Sequence, residues 1–406
     1  MKILHTSDWH IGRTFHTHST LEHLGIVLDA LVEIVRDRGV DVVAVAGDVF
    51  DSAIPSKEGY ALLTGTLRRL KEAGASVVMT SGNHDSATRL GFQSEWAALA
   101  GIHVVTGPEQ YLEPITITDE HGPVYFYGIP YLEPVLIRHL HPDVPLKTHE
   151  QVLNFAMTRI RADLALRNLT LGSLSARGGR SVVLSHCFAA GVASAAEASD
   201  VERDITAGGL DVVPLGVFDG CDYVALGHIH GRATLTERVR YSGAPLHYSF
   251  SEVGKPRGAW LVELGAAGLG ATEDGTHPTV EWIDLPVPRR LTVLTGELAT
   301  LLADETLAGT EGDWVKAILT DQVRPLDAMR SMQTRFAHCV ALEHRPTITL
   351  EADGSTYAER IRAATSDAEI VAGFLSFVRN GVGPSEFESA LIAQLQTEQG
   401  AKEANA

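Results

Sequence analysis

The sequence predicts an α/β protein: a mainly parallel sheet with flanking helices, then a small α+β module and a terminal helix pair. Three observations carry this. Over residues 1 to about 250, short β-rich apolar runs alternate with helix-like stretches, the pattern of βαβ units with right-handed crossovers. Past Pro286 and Pro288 the pattern restarts on a smaller scale. Finally, five apolar runs end in polar signatures: KILHTS in Asp8 and His10, VDVVAVAG in Asp48, ASVVMTS in Gly82-Asn83-His84-Asp85, RSVVLS in His186, and DYVALG in His228 and His230. Strand carboxyl ends are where open α/β sheets bind ligands.

Taken in order, Leu21, Leu24, Leu28, Leu31, Val32 and Val35 recur with helical period, and Gly39 ends that helix. VDVVAVAG follows as a strand. Tyr60–Leu70 repeats the pattern, with Gly74 as the stop before ASVVMTS, and IHVVTG and VYFYGIPY extend the sheet. RVRYSG, GAWLVEL and VEWIDLPV have no helix between them and predict an antiparallel set closing a second sheet layer. RRLTVLTG, WVKAILTD and HCVALEH are strand-like and DAMRSMQTRF helix-like, a compact α+β module of about 60 residues. Capping boxes at Ser366/Glu369 and Ser385/Glu388 open two helices, one with Ile370, Val371, Phe374, Leu375 and Val378, the other with Phe387, Leu391 and Leu395. These stripes either pack on their own chain or dock a partner helix. The final GAKEANA is expected to be disordered. Domain limits are set at 1–286, 287–350 and 351–406.

The 406-residue chain is 45% hydrophobic, enough to bury a large core without disulfides. Its three scattered cysteines, Cys187, Cys221 and Cys339, are no disulfide framework and fit a reducing compartment. No secretion leader and no apolar run of membrane-spanning length is read, so the expected location is the cytoplasm. The net charge of −18 disfavours a stand-alone nucleic-acid binder, though bound cations, a local basic patch or a partner subunit could meet phosphates.

Asp, His and Asn are the ligand set for hard or borderline divalent metals rather than a thiolate site. Asp8 and His10 are spaced to share one strand face. Asp48 ends a strand apolar on both faces, where a carboxylate is costly unless paired or metal-bound. Asn83 offers a neutral oxygen. His84 beside Asp85 suggests an imidazole oriented by a carboxylate and able to donate a proton. His186, and the alternating His228 and His230, complete the set. Singly each has an ordinary structural reading; jointly they point to a metallohydrolase, and to two metals. His5, His16, His18, His103 and His121 fall to surface or packing roles. Asp51 either supports the site or touches substrate.

DWHIG, GDVFD, GNHD, SH and GHIH, in this order, resemble the calcineurin-like metallophosphoesterase signature. HTSDWHIGR, AGDVFDSAIPS, SGNHDS, GGLDVVP, YVALGHIHGR and YSGAPLHYSFSE are closer still to the SbcD-type nuclease subunits, relatives of the Mre-type repair nucleases. The resemblance is strong over roughly residues 1–290 and weaker beyond. It implies a two-sheet sandwich flanked by helices. It implies two ions, usually Mn2+, with Mg2+ or Fe2+ as alternatives. Asp8, His10, Asp48 and His230 would hold one ion. Asp48, Asn83, His186 and His228 would hold the other. His84 would be catalytic and Asp85 would orient it. It further implies double-strand 3′–5′ exonuclease and single-strand or hairpin endonuclease activity in DNA repair, recombination and replication. The small module would touch DNA, and the terminal helices would grip an SbcC-type ATPase in a heterotetramer built on a homodimer. Consistent with a separate ATPase, the chain has no Gly-rich phosphate loop followed by Lys and Ser/Thr. A phosphatase or cyclic-nucleotide phosphodiesterase would share the metal residues without needing the terminal helices. A DNA-end scaffold would not need an intact ligand set.

Overall fold

A computed structural model describes residues 1–171, 179–191, 212–265, 278–347, 362, 364–379 and 381–403. Part of the GGLDVVP motif and residues 404–406 therefore lie outside the described residues. The chain divides into two compact units, Met1–Pro288 and Arg289–Ala406.

In the first unit β1 (Lys2–Thr6), β2 (Val42–Ala46), β3 (Ser76–Thr80) and β4 (Ile102–Val105) run parallel, each beside the next. Helices α1 (Leu21–Arg38) and α2 (Lys57–Glu72) make the first two crossovers. Gly39 ends α1 at φ +59°, as the sequence predicts, because a left-handed residue turns the chain without a Cβ clash. The next strands are β5 (Ile115–Asp119), β6 (Gly122–Ile129), β7 (Arg180–His186), β8 (Tyr223–Gly227), β9 (Ala233–Thr234) and β10 (Val239–Tyr241). They form a second six-stranded sheet in the order β9-β10-β8-β7-β6-β5. The chain then returns to the first sheet with β11 (Gly258–Glu263) and β12 (Thr279–Asp284), giving β12-β11-β1-β2-β3-β4.

Two expectations are corrected here. VYFYGIPY does not extend the first sheet; it is the β6 region of the second. RVRYSG, GAWLVEL and VEWIDLPV are not one antiparallel set. β10 lies parallel to β8, while β11 pairs antiparallel with β1 and with β12. The 16-residue stretch 242–257 between β10 and β11 is long enough to cross from one sheet to the other, which strand periodicity alone does not reveal.

Alternation along the strands builds four layers. Ile3, Val42, Ala44 and Val78 of the first sheet meet Val124, Phe126, Val182, Leu184, Tyr223 and Ala225 of the second in one buried core. On the first sheet's other face, Leu4, Val43, Val45 and Val77 pack with Leu24, Val27, Leu28 and Leu31 of α1. On the second sheet's outer face, Tyr127, Val183 and Val224 pack with Val152, Ala156 and Ile160 of α3 (His149–Leu171). Strands covered on both sides read as unbroken apolar runs, and each aliphatic side chain removed from water contributes about 1.5–3 kcal/mol.

The second unit holds β13 (Leu291–Gly296), β14 (Trp314–Leu319) and β15 (Cys339–His344), all parallel. This is a βαβαβ arrangement rather than the expected α+β module. Short helical turns at 298–310 and α4 (Ala328–Arg335) provide the crossovers. Helices α5 (Asp367–Val378) and α6 (Glu386–Glu403) follow. The predicted caps form: Ser366 Oγ accepts the Glu369 N–H at 3.3 Å, and Ser385 and Glu388 exchange side-chain and backbone bonds at 3.2 and 2.9 Å. Contrary to the expected disorder from Gly400, α6 continues to Glu403, since Ala401, Lys402 and Glu403 are good helix formers. No helix among the described residues is long and apolar enough to cross a membrane.

Candidate metal centre

The carboxyl ends of β1, β2, β3, β7 and β8 deliver the predicted residues to one place. Strand alternation is not what aims them. Asp8, His10, Asp48 and His228 lie beyond the strands with φ of +53°, +44°, +49° and +106°, conformations that cost non-glycine residues of order 1–3 kcal/mol each. Hydrogen bonds lock these turns: Asp8 N–H donates to Gly47 O at 3.1 Å and His10 N–H to Asp48 O at 2.9 Å. Asp8, His10, Asp48, His186, His228 and His230 are all buried. Glycine allows the close approach: a Cβ at Gly82 would overlap the Asp48 carboxylate, and one at Gly227 would overlap the Ala46 carbonyl.

Among the described residues, carboxylate and imidazole atoms converge within 4.8 Å in three groups: Asp8/His10/His230, His10/Asp48/His84 and Asp8/Asp48/His186. Asn83 Oδ1 lies 3.0 Å from His186 Nε2 and 3.2 Å from His228 Nδ1. All seven expected ligands thus come together, with half-buried His84 at the edge, its ring 4.8 Å from that of His10.

The hydrogen-bond partners fix which imidazole nitrogens carry lone pairs. His230 Nδ1 is hydrogen-bonded to Glu252 Oε1 at 3.2 Å and so carries the proton, while His10 Nδ1 makes no hydrogen bond but faces the Asp51 carboxylate at an ion-pair distance of 3.4 Å, which favours the proton on that nitrogen too. Their Nε2 lone pairs then point at each other across 3.1 Å. His186 Nδ1 donates to Ala46 O at 3.0 Å, which turns its Nε2 lone pair toward Asn83 Oδ1 and toward Asp48 Oδ2 at 3.3 Å. Acceptors facing acceptors in a buried space call for a cation between them. The donor set therefore fits divalent metal ions.

Charge in the cluster agrees. Burial alone would raise Asp48, but His186, His10 and His84 hold it well below the usual carboxylate range. Burial lifts Asp8 to about 6, with Asp48 adding to the rise. Burial lowers His10 to about 4 and His228 to about 3, leaving both neutral and able to ligate. Burial would also lower His186, yet the Asp48 carboxylate outweighs it and takes His186 to about 9. Without a cation, that ring holds a proton in its place.

The role expected for Asp85 is corrected. Its carboxylate accepts three backbone N–H groups, from Phe50 at 2.8 Å, Gly82 at 2.9 Å and Val49 at 3.0 Å. It ties the 47–50 and 82–85 turns together and does not turn the His84 ring. Burial lifts it to about 6, against those three donors. His84 Nδ1 instead donates to the carbonyl of Asp51 at 2.9 Å, and its backbone N–H donates to Asp48 Oδ1 at 2.9 Å. Sequence reasoning missed Glu252, 1% exposed, which bonds His230 and pairs with Arg257 at 2.9 Å. A glutamate in an apolar-aromatic stretch, LHYSFSE, was the available signal.

Residues 1–232 match the calcineurin-like phosphoesterase family, and residues 287–378 match the SbcD C-terminal family, described as the type 5 capsule protein repressor C-terminal domain. Similar solved structures include TT1561 of Thermus thermophilus, 16% identical, covering 60% of this chain and 89% of that one at a TM-score of 0.34. A dimetal phosphatase from Danio rerio is 14% identical over 59% of this chain and 86% of its own, TM-score 0.35. GAP50, the anchor in the inner membrane complex of Plasmodium, is 9% identical over 86% and 98%, TM-score 0.33.

Proposed function

We propose that this chain, which belongs to the calcineurin-like phosphoesterase family, is a DNA nuclease that cleaves phosphodiester bonds with two divalent cations, Mn2+ first among them. The observation that carries the reading is the set of seven ligand-type side chains, six of them buried and Asn83 half-buried, whose lone pairs face one another. In this reading Asp8, His10, Asp48 and His230 would hold one ion, and Asp48, Asn83, His186 and His228 would hold the other. Bound there, the cations would supply a nucleophilic water at neutral pH and offset charge on the phosphoryl oxygens.

The chain's own groups do the rest. Asp48, kept ionised by its imidazole neighbours, is the anion common to both halves. His84 gives its Nδ1–H to the Asp51 carbonyl, which leaves Nε2 free for the departing oxygen; as the imidazolium, with both nitrogens protonated, the ring would donate its Nε2–H to that oxygen and return to the neutral Nδ1–H form. Asp85 holds the turns that carry Asp48 and His84 in register. Positioning and preorganised charge are the catalytic resources here.

DNA as substrate draws support from the match of residues 287–378 to the SbcD C-terminal family. On this reading residues 1–286 are the nuclease, 287–350 a DNA-contacting cap, and 351–406 the grip on an SbcC-type ATPase in a heterotetramer. The activities are double-strand 3′–5′ exonuclease and hairpin endonuclease, used in DNA repair. The test is cleavage of a hairpin-ended duplex with Mn2+, beside hydrolysis of a small phosphomonoester, with and without the ATPase and ATP. Hairpin cleavage is expected. Phosphomonoester hydrolysis with no DNA cleavage overturns the nuclease reading in favour of a phosphatase.

A further inference from the structure

We propose that Asp51 and Glu252 are positioning residues that set the geometry of one half of the metal centre, the half built on His10 and His230. Their placement is matched. The Asp51 carboxylate backs His10 Nδ1 at 3.4 Å and the Glu252 carboxylate backs His230 Nδ1 at 3.2 Å, while the two Nε2 atoms meet at 3.1 Å. Glu252 holds His230 by a hydrogen bond, while Asp51 faces His10 as a close anion without a hydrogen bond in this geometry; in both cases the negative charge favours the Nδ1–H tautomer and raises the basicity of the free nitrogen. His186 in the other half has the neutral Ala46 carbonyl behind its Nδ1.

Both carboxylates are themselves held. Arg13 donates to Asp51 Oδ1 at 3.2 Å and lies over the Tyr248 ring at 5.0 Å from its centre. Arg257 donates to Glu252 Oε2 at 2.9 Å, Tyr248 N–H donates to the same oxygen at 2.9 Å, and Arg257 also reaches the His230 carbonyl. Tyr248 in turn donates its hydroxyl to the Trp9 carbonyl at 2.6 Å, between Asp8 and His10. One connected network, Arg13–Asp51 and Arg257–Glu252 joined through Tyr248, thus flanks the pair of imidazoles. Asp51 has a second duty through its backbone, because its carbonyl accepts His84 Nδ1–H. Side-chain substitutions remove the first duty and leave the second.

This inference rests on the metal-centre reading, and the experiment separates the two. Mn2+ binding is titrated to the full-length chain, and the visible spectrum of the Co2+-loaded protein is recorded. Asp51 is 29% exposed in its side chain, so Asp51→Ala and Asp51→Asn fold. For Asp51→Ala one of the two Mn2+ ions is expected to bind about 10- to 100-fold more weakly, with altered Co2+ bands. Asp51→Asn, which keeps an acceptor for His10, recovers part of that loss. Glu252→Gln, which keeps an acceptor for His230, is expected to weaken the same ion. If the wild-type chain takes up no Mn2+, the metal centre itself fails. If it takes up two ions and Asp51→Ala and Glu252→Gln leave both affinities unchanged, or weaken both equally, the positioning role is overturned.

Discussion

The two-sheet unit and the terminal helix pair use the same kinds of apolar side chain to opposite ends. On α1, Leu24, Val27, Leu28, Leu31, Val32 and Val35 are all buried against the first sheet, whereas on α5 and α6 Val371, Phe374, Phe377, Phe387, Leu391 and Leu395 are 40–78% exposed. What holds the helix pair is local: two capped N-termini and the forked Arg379–Glu388 pair at 2.7 and 2.9 Å. The two-sheet unit makes its own cover and so can hold strained turns and buried charge at a site. The helix pair leaves its apolar stripe exposed among the described residues, the kind of surface that the proposed partner would cover.

The largest way to sharpen that contrast is at Asp48. Losing a group that merely supports a ligand costs about 10- to 100-fold. Asp48→Asn, at the ligand itself, is therefore expected to cost more than about 100-fold in cleavage rate, in an assay with the helix pair intact. Activity within a few-fold of wild type contradicts the account. His84→Gln comes next, with a loss of about 10²- to 10⁴-fold and Mn2+ retained in a binding titration; loss of the metal reassigns His84 as a ligand. Then stability separates the units. Leu28→Ala, in the core, is expected to cost about 2–5 kcal/mol in denaturant unfolding. Phe374→Ala, on the exposed stripe, should stay within about 0.5 kcal/mol yet abolish binding to the coiled coil of an SbcC-type ATPase. A large stability loss from Phe374→Ala would show that the stripe is part of its own chain's core.

The smallest effect concerns pH. Asp119 in β5 meets Arg180 at 3.0 Å and the chain's terminal ammonium at 2.9 Å. Burial alone would raise its carboxyl, but those cations hold it well below the ordinary 3.8. A carboxylate depressed on folding contributes stability above its unfolded value and loses it as pH falls toward the folded one. Asp119→Asn is therefore expected to lower the melting temperature at pH 7, with the difference from wild type shrinking below pH 3.8. Glu388 in the helix pair is held at about 2 by Arg379, so its loss on acidification has the same sign, but its setting is exposed and the effect should be smaller still. A constant Asp119 difference across pH removes the ion pair from the account.

Much of this was legible in the chain. The ends of apolar runs at Asp48, Asn83, His186 and His230 carry their chemistry in their spacing, and Gly39 and the Ser385/Glu388 cap announce their roles locally. What stayed hidden was long-range. That VYFYGIPY belongs to the second sheet, and that β11 returns beside β1, depends on a 16-residue crossing with no periodic mark. Asp85 next to His84 looked like its orienting carboxylate, but adjacent residues point apart, and the Asp51 carbonyl, contributed by a different turn, took that place. Glu252 could not be linked to His230 because 22 residues and two strands separate them.

The measurement closest to the central claim is the number of Mn2+ ions bound per chain at neutral pH, wild type beside Asp48→Asn. The account predicts two ions in the wild type and loss of tight binding of both when their shared carboxylate is removed. One ion or none in the wild type, or two held equally tightly without the Asp48 charge, contradicts it.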